Sequence, residues 1–182
     1  MSMDARAAAD ALGEIETLRQ ATRRSLGYRL ASAKLILWGG IVAIANVLTW
    51  FFPERPGRIW IVMTAVGLIA SLILGRRLAR NGYGTVGRFL AAFLIFLAFG
   101  LFWSISLGHF TGRQMDAFWP TLIMFGYCLA GLWLGRVFII LGLSIAALVA
   151  IGFYTLGPSY PLYLAVVNGG GLILCGLWMR QA

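Results

Sequence analysis

Apolar residues run through this chain in six long blocks separated by short polar breaks. The blocks predict an all-α, polytopic membrane bundle of six transmembrane helices in three hairpins, at 30–52, 59–75, 89–108, 119–135, 137–156 and 161–179. Each is close to the length that carries a helix across a hydrocarbon core of roughly 30 Å, at about 1.5 Å per residue. The breaks are rich in turn and charge signals: 53–58 reads PERPGR, 76–88 holds Gly82 and Gly84, and 109–118 is polar. Two tighter turns, Gly135 with Arg136 and residues 157–161, complete the set. The fourth and fifth runs join closely enough to be read as one helix. That helix would far exceed one crossing, so two are predicted.

Ahead of the first block, residues 1–29 predict a cytoplasmic amphipathic helix. Ala8, Ala11, Leu12, Ile15 and Leu18 share one face, with acids towards the start and Arg19, Arg23 and Arg24 at the end, which suits the helix dipole. The acids exclude a signal peptide. Its thin, alanine-rich stripe points to the lipid surface, with a short coiled coil or a partner as alternatives.

Composition sharpens the class. The chain is 60% hydrophobic and 12% charged, too apolar for a soluble domain of 182 residues. The net charge of +9 is no nucleic-acid footprint, because the arginines punctuate apolar runs and form no face. Their distribution predicts orientation. Arg19, Arg23, Arg24, Arg29, Lys34, Arg76, Arg77, Arg80, Arg88, Arg136 and Arg180 fall in or beside alternate breaks, while the others hold only Arg55, Arg58 and Arg113. Both termini are therefore expected in the cytoplasm. Cys128 and Cys175 lie in different runs, about 7 Å apart in expected depth, which argues against a disulfide.

The candidate chemistry is sparse. No Asp or Glu falls within a predicted span, which argues against a proton- or sodium-coupled carrier. One histidine and two separated cysteines supply neither a zinc site nor a triad, so no enzyme, metal or cofactor is expected. His109 closes the third span. It reads as an interfacial helix end, or as an axial ligand to a haem-like ring in an oligomer.

Small residues recur at four-residue spacing. Gly67, Ser71 and Gly75 form one stripe, Gly100, Ser104 and Gly108 a second, Gly131 and Gly135 a third, and Gly142, Ala146 and Ala150 a fourth. Such stripes let helix backbones approach closely. Most are expected to pack within the chain, and some against another protomer or subunit. Polar side chains favour the predicted outer half, among them Asn46, Thr64, Ser104, Tyr127 and Asn168. Asn46 and Asn168 come out at similar depth, roughly 10 Å below the outer boundary. They are candidates for interhelical hydrogen bonds or, alternatively, for an outward-facing polar cavity with an unwound 168–171 segment. The first reading predicts a continuous sixth helix. Gly169, Gly170 and Gly171 would then pack against a neighbour, around Gly39 to Asn46 of the first span, with Asn168 bonded across. Leucine at Gly170 would overpack.

The pattern Gly126, Gly131, Leu132, Trp133 is echoed by Gly171, Gly176, Leu177, Trp178. With Pro53 after the first span and arginine-closed even spans (Gly75-Arg76, Gly135-Arg136, Arg180), this resembles the bacterial acid-resistance membrane family built from helical hairpins. The chain is also similar to six-helix bacterial inner-membrane proteins that carry a charged helix before the first span. Neither resemblance implies a catalytic residue. The expectation is a non-enzymatic membrane protein acting by association with itself or with other membrane subunits. The alternative is a small carrier or channel for a neutral or anionic solute.

Overall fold

The computed structural model of the protein describes residues 31–79 and 86–181, which are almost wholly helical and include no strand. Helix α1 occupies Ala31–Phe51 and α2 Pro56–Ala79. Helix α3 is Val86–Leu101, prolonged by a π-helical turn at Phe102–Leu107. Helices α4 and α5 are Gly112–Leu134 and Arg136–Thr155. Helix α6, Tyr160–Gln181, changes gauge: α-helical over Tyr160–Leu164, π-helical over Ala165–Gly170, and α-helical again over Gly171–Gln181. Among the described residues five helices are long and apolar enough to cross a membrane, and the apolar part of α3, Ala91–Leu107, is shorter. The amphipathic helix expected over 1–29 lies outside the described residues.

Local chemistry accounts for the helix ends. Pro56 opens α2, where its missing N–H would be unpaired in any case. Gly135 alone joins α4 to α5, at φ 131° and ψ 156°, a conformation essentially restricted to glycine. Helix α4 begins seven residues before the expected Trp119. Thr111 and Gln114 form a capping box, in which the Thr111 side chain accepts from the Gln114 N–H and the Gln114 side chain accepts from the Thr111 N–H. As a result Arg113 and Asp116 lie on the helix, not in a loop. Asp116 thus falls within the apolar segment Gly112–Trp133, and the expectation that no acid lies in a span does not hold there. Pro120 leaves α4 unbroken, and the Thr121 hydroxyl donates to the Ala117 and Phe118 carbonyls beside it, at 2.8 and 2.9 Å.

Successive contacts run antiparallel and are set by glycines. A methyl group on Gly39 would come within 2.7 Å of the Gly169 carbonyl oxygen, and one on Gly169 within 2.7–2.9 Å of Ala43. Near the other end of this α1–α6 seam, the Ser32 hydroxyl donates to the Gly176 carbonyl at 2.5 Å. Gly131 lies against Ile139 and Phe138, and Gly142 against Cys128 and Met124, closing the α4–α5 hairpin. Tyr160 and Tyr163 of α6 cover Gly152 of α5, while Gly171 abuts Ile145. Gly100 and Gly126 bring α3 onto α4 through Trp119, Leu122 and Phe96. Helix α2 touches α1 where Trp38 covers Gly67, and the Trp38 indole donates to the Ser71 hydroxyl at 3.0 Å.

The core cluster draws its buried side chains from α1, α4, α5 and α6: Leu35, Met124, Phe138, Ile145, Val149, Tyr160, Leu164, Leu172 and Met179. Within the bilayer-length segments the buried share is 39% for α6, 33% for α1, 28% for α5, 17% for α4 and only 6% for α2. Helix α2 is thus an outrigger on α1.

Candidate functional site

Buried polarity is concentrated where α1 meets α6. Ser32, Asn46 and Thr49 of α1 and Asn168 of α6 are all buried. An apolar interior requires each polar atom to find a partner; Ser32 finds one across the seam on Gly176, and two of the others do so locally. Asn46 Nδ2 donates to the Val42 carbonyl at 2.9 Å and the Thr49 hydroxyl to the Ala45 carbonyl at 2.8 Å, both one turn back on α1. Asn168 differs: no donor among the described residues reaches its buried Oδ1. Asn46 therefore does not supply the bond across to Asn168 Oδ1 that their expected common depth suggests.

The 168–171 segment is neither a regular α-helix nor unwound. The chain stays helical, with the turn widened to the π form, and the Gly171 N–H is shared between the Val167 and Asn168 carbonyls. The three glycines have different neighbours. Gly169 packs on the α1 backbone and Gly171 on Ile145, but a methyl group on Gly170 would meet nothing within 4 Å. The expectation of overpacking by leucine at Gly170 is thereby corrected, and the close approach belongs to Gly169.

The remaining candidates are dispersed. Thr64 is half-buried on α2. Ser104, fully buried in the π turn of α3, is 3.5 Å from the Leu101 carbonyl of its own helix. Tyr127 stacks on Phe138 with ring centroids 6.2 Å apart. His109 is exposed after the π turn of α3, with a left-handed φ of 43°. Gly67, Gly100 and Gly131 face neighbouring helices, whereas Gly75 is buried with no described atom within 4 Å of where its Cβ would stand. Among the described residues, no group of three or more His, Cys, Asp or Glu side chains comes together.

A second polar focus, hidden from a hydropathy reading, lies where α4 begins. The Arg113 guanidinium donates to the Phe153, Leu156 and Gly157 carbonyls at the end of α5. It also lies 5.3 Å from the Phe153 ring centre and 5.5 Å from that of Tyr160. A cation on the carbonyl end of a helix satisfies both hydrogen bonding and the dipole. Arg113 therefore ties α4, α5 and α6 together. Once α4 is seen to start at its capping box, an arginine in its first turn becomes a candidate for this role. Beside this tie, a shallow, mostly apolar groove of about 310 Å³ runs between α4 and α5, lined by Phe110, Gln114, Phe118, Thr121, Phe153 and Tyr154 among others. None of the five sequence candidates for a polar cavity lines it.

Comparison with family models, with curated proteins and with solved structures returns no match for this chain. The fold itself defines the class that can be stated: a helical bundle with several apolar helices, compatible with an integral membrane protein.

Proposed function

We propose that this protein is a non-enzymatic subunit of a bacterial inner membrane, with both termini in the cytoplasm, that acts by lateral association with itself or with other membrane proteins through the α2 flank. The observation carrying this reading is the contrast in burial. Helix α2 is long enough to span, yet only 6% of that segment is buried by the rest of the chain. Ile61, Val62, Val66, Ile69 and Ile73 are all more than 45% exposed along it. A helix that contributes nothing to the core cluster is spare in the isolated chain but useful as a contact for a neighbour.

The solute-carrier alternative draws less support. The five polar groups that motivate it stand on five different helices, none of them lines the groove between α4 and α5, and Asn46 is spent on the Val42 carbonyl of its own helix. Native mass spectrometry after extraction in mild detergent tests the association. Dimers, higher oligomers or a stoichiometric second subunit are expected. A strictly monomeric chain with no co-purifying protein would count against the proposal.

A further inference from the structure

Asn168 is only 3% exposed, sits inside an apolar helix, and has an Oδ1 that no donor among the described residues reaches. A dry amide oxygen in such surroundings is expensive, and native proteins leave few of them. The nearby side chains have other commitments. Asn46 Nδ2 is given to Val42, the Ser32 hydroxyl to Gly176 and the Thr49 hydroxyl to Ala45. Nor can α1 slide to bring a donor closer, because Gly169 already lies against the backbone of Ala43. Burial excludes a donor from another polypeptide, so the partner must be small.

The backbone at the same place points the same way. Residues Ala165–Gly170 follow π geometry, with a wider turn than the α-helix on either side. Single π turns inside an α-helix occur frequently at functional sites. Gly170, two residues beyond the amide in the same turn, has nothing within 4 Å of where a Cβ would stand.

We propose that Asn168 and the π turn of α6 form a buried binding site for a single water molecule, which donates a hydrogen bond to Asn168 Oδ1. The site is independent of the association proposed above. It gives the Asn168-Gly-Gly-Gly segment a physical role: Gly169 admits α1 on one side, while the widened turn stays uncrowded at Gly170. A bound water of this kind typically makes about three hydrogen bonds. Carbonyls in the widened turn are the acceptors for its second proton.

The test uses the full chain in lipid bilayers, with ¹³C,¹⁵N-asparagine and ¹³Cε-methionine, and water-edited magic-angle-spinning NMR. The Asn168 side-chain signal is assigned by its loss in Asn168→Leu, and the Met124 signal, from a methyl group in the 0%-exposed core, by its loss in Met124→Leu. Magnetisation from water is expected to reach the Asn168 amide several-fold faster than the Met124 methyl. Equal build-up at the two sites would overturn the proposal. Thermal unfolding supplies a second reading. Asn168→Leu is expected to lower the Tm, because it expels a well-bonded water, whereas a raised Tm would mean the oxygen had been dry and would also overturn it. If the variant does not fold, ¹³C,¹⁵N-valine and glycine are added to the labels, the Asn168 signal is assigned from its sequential correlations to Val167 and Gly169, and the build-up in the unsubstituted chain decides alone.

Discussion

Helices α6 and α2 are both apolar and both of bilayer length, yet the rest of the chain buries 39% of one segment and 6% of the other. The difference lies in what interrupts the apolar residues. Helix α6 carries Gly169 and Gly176 against α1, Gly171 against α5, and Tyr160 and Tyr163 over Gly152. Helix α2 meets α1 through Gly67 and Ser71, both beneath Trp38, and no described atom lies within 4 Å of where a Cβ on Gly75 would stand. Since lipid is as apolar as leucine, hydropathy decides whether a helix crosses but not what it packs against. Small residues and hydrogen bonds decide the second question. They build a tight α1–α6–α5–α4 body and leave α2 and α3 outside its core cluster.

The contrast can be broken most severely at the seam. Gly169→Ala forces a methyl group onto the Ala43 backbone, which cannot rotate away. A loss of roughly 1–3 kcal/mol is expected, measured as a lower midpoint in detergent thermal unfolding. The matching change on the outrigger, Gly75→Ala, is expected to be nearly silent. Arg113→Gln removes the cation from the end of α5 and should cost about 1 kcal/mol, a moderate value because the side chain is exposed. The same unfolding assay checks it, and partial recovery with added guanidinium would mark the loss as one of capping. Trp38→Phe keeps most of the packing on Gly67 but removes the bond to Ser71. About 0.6 kcal/mol is expected, along with faster cross-linking of α2 to neighbours. The smallest effect is assigned to Gly170→Ala. With nothing within 4 Å of the added methyl group, the midpoint should hold or rise slightly.

Much of this organisation was legible in the residues. The blocks at 59–75, 137–156 and 161–179 fall within a few residues of α2, α5 and α6, because long apolar runs between proline, glycine and arginine leave little choice. The start of α4 was not, because Arg113, Gln114 and Asp116 look like a loop when only hydropathy is weighed. The Thr111–Gln114 spacing carried the signal, since a capping box can open a helix in polar sequence. The π turns of α3 and α6 have no such signature, as widening by one residue per turn depends on neighbours distant in sequence. Periodicity also could not choose among Gly169, Gly170 and Gly171. In a π turn the angle between successive side chains differs from 100°, so the face presented to α1 shifts.

The account turns on α2 being the contact face, and site-specific photo-cross-linking in native membranes tests that directly. A benzophenone amino acid at Ile69 of α2, 59% exposed, is compared with one at Leu174 of α6, 69% exposed. The two positions are similarly open in the isolated chain and differ in the helix that bears them. The Ile69 probe is expected to yield a discrete protein adduct of higher mass, and the Leu174 probe lipid adducts only. Lipid adducts alone at Ile69 would contradict the account, since α2 would then face nothing but the bilayer.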